Sequence, residues 1–127
     1  MSEDKKRLLI VEDDVILQKA LQDFLTSEGF ETFVASDGEA GINTAKEKIP
    51  DLVLLDIILP KKDGYEVLAE LKQDEKTKQI PIILLTNLGS LNDVEKAIEL
   101  GATTYLVKSD YKLAEVAKKI KETLKMI

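Results

Sequence analysis

The stretch Leu8-Leu9-Ile10-Val11-Glu12-Asp13-Asp14 passes directly from four apolar residues to three acids. Apolar residues at every position suit a strand buried on both faces, as in a parallel sheet, and the acidic end marks where that strand leaves the core. Further short runs occur at similar intervals, at 32–35, 52–55, 82–85 and 104–107, most of them continuously apolar.

Amphipathic stretches lie between these runs. Ile16, Ala20, Leu21, Phe24 and Leu25 form one; Val67, Leu68 and Leu71 another; Leu113, Val116, Ala117, Ile120 and Leu124 a third. Spacings of three and four residues place each set on one face of a helix. The punctuation agrees: Gly29 follows the first helix, Pro50 and Pro81 precede strands, and Gly101 ends the fourth helix. Ser36 with Glu39 reads as a capping box opening the second helix. Five β-α units in strict order imply parallel strands joined by right-handed crossovers, and a chain of this size favours an open doubly wound α/β sandwich over a closed barrel.

Composition narrows the class. With 127 residues, 44% hydrophobic and 33% charged, the chain suits one soluble domain, expected to span 1–127. It contains no apolar run of about 18 residues, and its charged start, Met1-Ser2-Glu3-Asp4-Lys5-Lys6-Arg7, is unlike a signal peptide. The expectation is a cytoplasmic protein with no membrane contact. With neither Cys nor His, any metal must bind through oxygen. A net charge of −6 opposes direct nucleic-acid binding and favours a protein partner.

Ligands of an open α/β sheet gather beyond the carboxyl ends of its strands. The first run ends on Glu12, Asp13 and Asp14, the third on Asp56, the fourth on Thr86 and the fifth on Lys108, whereas the second ends on the less distinctive Ser36 and Asp37. In strand order 2-1-3-4-5 the first and third strands are neighbours, so Glu12, Asp13 and Asp56 converge into a costly like-charge cluster. A hard cation such as Mg²⁺ would offset it, taking one or two carboxylates and keeping other positions for water or substrate oxygens. Acids after the first strand also favour a helix N-terminus, and Asp14 is expected to be that cap. Three acids, a hydroxyl and an ammonium at neighbouring strand ends favour a site over capping alone.

These residues resemble the receiver domain of bacterial two-component response regulators, with its flavodoxin-like fold. The resemblance runs from about Leu8 to Leu124 and rests on four segments: Leu-Leu-Ile-Val-Glu-Asp-Asp at 8–14, Asp-Leu-Val-Leu-Leu-Asp-Ile-Ile-Leu-Pro-Lys-Lys-Asp-Gly at 51–64, Pro-Ile-Ile-Leu-Leu-Thr at 81–86 and Gly-Ala-Thr-Thr-Tyr-Leu-Val-Lys at 101–108. It implies that Asp56 is the phosphoacceptor. It also implies that Asp13 and Asp56 ligate Mg²⁺, that Glu12 acts through water and that the Ile58 backbone carbonyl adds a ligand. Thr86 and Lys108 would engage the phosphoryl group, with Thr86 and Tyr105 as the switch pair. Two residues depart from the family pattern: Asn87 stands where a small residue is common, and Ser109 where proline usually follows the lysine. Ile58 and Leu88, both apolar, imply slow loss of the phosphoryl group.

The function so implied is a phosphorelay switch that receives a phosphoryl group from a phosphohistidine and changes the face it offers to partners. It would catalyse only its own phosphoryl transfer and autodephosphorylation. Expected partners are a sensor histidine kinase or histidine phosphotransfer protein and a downstream protein target. The chain would be a monomer or a weak phosphorylation-dependent dimer. It could also be a receiver belonging to a longer regulator or hybrid kinase. The five lysines at 112, 118, 119, 121 and 125 read as the solvated side of the last helix. A Mg²⁺-dependent phosphatase with an aspartate nucleophile would need a second acid at position 58, and a flavin carrier would need a phosphate-binding loop where Glu12-Asp13-Asp14 stands.

Overall fold

The strand runs pair side by side in a computed structural model that describes residues 5–86, 91–108 and 112–126. The order along the chain is β1 (Arg7–Val11), α1 (Val15–Ser27), β2 (Glu31–Ala35), α2 (Gly38–Lys48), β3 (Leu52–Asp56), α3 (Gly64–Gln73), β4 (Ile82–Thr86), α4 (Leu91–Glu99), β5 (Thr104–Val107) and α5 (Leu113–Thr123). All pairings are parallel and the sheet order is β2-β1-β3-β4-β5, as expected. Register places Val11 beside both Ala35 and Leu55, and Asp56 beside Leu85.

Each central strand feeds two cores, which is why its sequence is apolar throughout. Leu9, Val11, Val53, Leu55 and Leu84 face one layer with Ile42, Ala45, Val67, Leu68, Leu71 and Ala97. Their neighbours Leu8, Ile10, Leu52, Leu54 and Ile83 face the other with Leu21, Leu25, Val116, Ala117 and Ile120.

Asp14 caps α1 as expected, accepting from the Ile16 and Leu17 N–H groups. The second cap differs: Asp37, not Ser36, opens α2 and accepts from the Ala40 N–H at 2.7 Å. The Ser36 hydroxyl instead accepts from the Gln18 amide at 3.1 Å. A full capping box does form, but on Asp63 and Glu66 at the start of α3.

At the amino end of the sheet, Arg7 joins three segments. Its backbone N–H donates to the Asp51 carboxylate at 2.8 Å, and its guanidinium donates to the Lys48 carbonyl at 2.6 Å and stacks over Phe33. No helix among the described residues is long and apolar enough to cross a membrane.

Candidate functional site

At the opposite, carboxyl end of the sheet, β1 delivers Glu12 and Asp13 while β3 delivers Asp56. Their carboxylate oxygens lie within 4.8 Å of one another. Glu12 is wholly buried and Asp56 is 6% exposed, whereas Asp13 is open to solvent.

One cation is shared between the two buried acids. Lys108, just beyond β5, places its Nζ 2.9 Å from Asp56 Oδ2 and 2.7 Å from Glu12 Oε1. Only the contact to Asp56 has the alignment of a hydrogen bond. Glu12 Oε2 accepts from the Asp14 N–H at 3.0 Å, but Oε1 is buried and, among the described residues, has no hydrogen-bond donor aligned on it. Burial raises the Glu12 pKa, and Asp56 raises it further, against the opposing pull of Lys108. Burial works to lower the Lys108 pKa, yet its close pairing with the Glu12 and Asp56 carboxylates outweighs that and the net shift is upward. A single ammonium thus serves two buried carboxylates incompletely.

The donor set fits a hard divalent cation. Three carboxylates converge, one buried oxygen is left unsatisfied among the described residues, and the sequence holds neither Cys nor His. Among the described residues, Asp56 Oδ1 accepts only from the Ile58 N–H, at a long 3.4 Å. Ile58 stands 74% exposed at the rim.

Other residues singled out from sequence fall as follows. Thr86 closes β4 beside Val107, but its side chain, together with Asn87, Leu88 and Ser109, lies outside the described residues. Tyr105 pairs with Leu84 in the sheet register and is 41% exposed. In the last helix, Lys121 bonds Glu28 at 2.9 Å.

Sequence reasoning passed over the braces of this site. The Gln18 side-chain amide donates to the Glu12 carbonyl at 2.9 Å, the Ala35 carbonyl at 3.2 Å and the Ser36 hydroxyl. The Glu12 N–H donates to the Ala35 carbonyl at 3.0 Å. On the other side, the Gly38 N–H donates to the Pro60 carbonyl at 3.2 Å, and Lys61 lies 3.7 Å from Asp37. The one sequence signal for Gln18 is a polar residue one turn into α1, which amphipathicity alone assigns to solvent.

Comparison with known proteins agrees with this geometry. The family model described as the response regulator receiver domain matches residues 8–121. A relative from Guillardia theta, named probable transcriptional regulator ycf27, is 42% identical over 106 residues, covering 84% of this chain and 41% of that protein. The chain spans half or less of the length of the curated relatives it matches. Among solved structures, the receiver domain of a sensor histidine kinase from Pseudomonas aeruginosa PAO1, with a magnesium ion coordinated in its active-site cleft, has a TM-score of 0.87. It is 29% identical, over 94% of this chain and 98% of that one. The BeF3-activated N-terminal receiver domain of Klebsiella pneumoniae RstA has a TM-score of 0.86 at 30% identity, over 94% and 98%.

Proposed function

Because the chain belongs to the response regulator receiver domain family, we propose that it is a phosphorelay switch in which Asp56 accepts a phosphoryl group from a phosphohistidine. The observation that carries this reading is the placement of Asp56, buried at the end of β3 beside the Glu12–Asp13 pair and bonded to Lys108, with Oδ1 accepting only one long hydrogen bond among the described residues. In the transfer, that oxygen forms the P–O bond as the P–N bond breaks, and the imidazole leaves.

Asp13, Asp56 and the Ile58 carbonyl would hold Mg²⁺, with Glu12 acting through water; its chemistry is to neutralise charge on the phosphoryl oxygens. Lys108 supplies a second positive charge, already positioned by Asp56 before transfer. As the Asp56 oxygens are taken up, Lys108 turns from the carboxylate to the phosphoryl group, and Thr86 joins it. Tyr105, on the strand next to β4, is the side chain through which that movement reaches the surface.

On this reading residues 1–127 act as one receiver unit that catalyses only its own phosphorylation and dephosphorylation, in the cytoplasm. It takes its phosphoryl group from a histidine kinase or phosphotransfer protein and signals to a downstream protein. The net charge of −6 supports a protein target rather than nucleic acid for this stretch of chain. The length of its relatives also accommodates a receiver within a longer regulator.

Incubation with acetyl phosphate and Mg²⁺, followed by intact mass, tests the proposal. One added phosphoryl group is expected, absent without Mg²⁺ and absent in Asp56→Asn. Undiminished labelling of Asp56→Asn would sink it.

A further inference from the structure

The turn between β2 and α2 adds no carboxylate to the Glu12–Asp13–Asp56 cluster, yet it touches both loops that carry it. On one side it receives the Gln18 amide and the Glu12 N–H through Ala35 and Ser36. On the other it holds the β3–α3 loop, which contains Ile58, through the Gly38-to-Pro60 hydrogen bond and the Lys61–Asp37 ion pair. The contact is close: a Cβ at position 38 would overlap the Lys62 carbonyl oxygen and lie 2.7 Å from its carbon.

The rest of that loop is fixed as well. The Gly64 N–H donates to the Ile57 carbonyl at 2.6 Å, Leu59 is buried in the core, and Lys62 bonds Glu70 at 3.2 Å. Beyond the β1–β3 pairing, which ends at Val11 and Leu55, the contact with the turn is a further restraint on how far the loop stands from β1.

We propose that residues 36–38, with Gln18, form a bracket that fixes the spacing between the Glu12–Asp13 loop and the Ile58 loop, and so sets the affinity of the site for Mg²⁺. Gln18 and Gly38 are positioning residues in this scheme; neither touches the ion. The inference rests on the metal reading above. Groups that hold ligands in place without binding the metal commonly change its affinity by about 10- to 100-fold when removed.

Two substitutions test the bracket from its two sides. Gly38→Ala pushes the Ile58 loop away, whereas Gln18→Met keeps side-chain volume and removes the amide donor. Mg²⁺ titration by calorimetry is expected to show weakening of about tenfold or more for each variant, at the low end of that range. In the metal-free protein, amide hydrogen exchange of residues 57–64 should quicken in Gly38→Ala. Phosphorylation by acetyl phosphate should return to the wild-type rate once Mg²⁺ is raised to saturation, an outcome that general loss of stability does not produce. Wild-type Mg²⁺ affinity in folded Gln18→Met and Gly38→Ala overturns the bracket, and if Gly38→Ala does not fold, Gln18→Met decides alone. Failure of the wild type itself to bind Mg²⁺ overturns the metal reading instead.

Discussion

The two ends of the sheet use charge in opposite ways. At the amino end, Arg7 meets the Asp51 carboxylate, the Lys48 carbonyl and the Phe33 ring, so charge serves to join β1, β2 and the α2–β3 connection. At the carboxyl end, Glu12 and Asp56 are buried against one shared lysine, and a buried oxygen is left, among the described residues, without a hydrogen bond. A fold whose charges served only stability would satisfy both ends alike. The unequal treatment marks where stability has been given up for chemistry.

The strongest way to break this contrast is to remove the shared lysine. Lys108→Met leaves two buried carboxylates without their counter-charge and should cost about 3 kcal/mol in the absence of metal, since breaking one partner of a buried pair strands the other. Urea unfolding with and without Mg²⁺ measures it, and the loss should shrink when the ion is present. A Mg²⁺-independent loss would place the two ends on the same footing.

Arg7→Ala gives the complementary measurement. Losing its charged hydrogen bond and ring contact should cost about 2 kcal/mol, unchanged by Mg²⁺, with phosphoryl labelling of Asp56 intact. A shift in labelling would show that the amino end is not merely structural.

The smallest effect sharpens the comparison at a third place. The Tyr65 hydroxyl donates to the Asp93 carbonyl at 3.2 Å while Lys96 lies over the ring at 4.4 Å. Burial, and then the charge of Asp93, raise its pKa above the usual 10.0. A raised folded value means that the neutral phenol's contribution is complete below pH 10 and is lost as pH climbs through the folded pKa. Tyr65→Phe should therefore flatten the alkaline decline of stability, by about 0.5 kcal/mol, the scale of one exposed hydrogen bond. It should also remove a late-titrating component from the phenolate absorbance.

The strands and the gathering of acids were legible because both depend on local pattern. Continuous apolar runs marked strands to within a residue of their ends, and topology then carried Glu12, Asp13 and Asp56 together. The cap of α2 was not legible in the same way, because Ser36 and Asp37 are both competent caps and stand side by side. Asp37 takes the role while Gln18 engages the Ser36 hydroxyl, a tertiary contact with no local signature. The Asp63–Glu66 box carried the usual spacing signal but followed a loop whose path local pattern does not define. For the same reason nothing local singles out Gly38, since its close approach to Lys62 is set by another segment.

The bond from Lys108 to Asp56 spans 52 positions, and it reaches from the last strand to the middle one. A chain emerging from the ribosome has made β1, β2 and β3 well before residue 108 exists. If those strands pair early, Glu12 stands against Asp56 with no lysine between them, and repulsion works against that partial sheet until β5 arrives. The acids thereby penalise half-built structures more than the finished one, making folding more nearly all-or-none than the hydrophobic layers alone would make it.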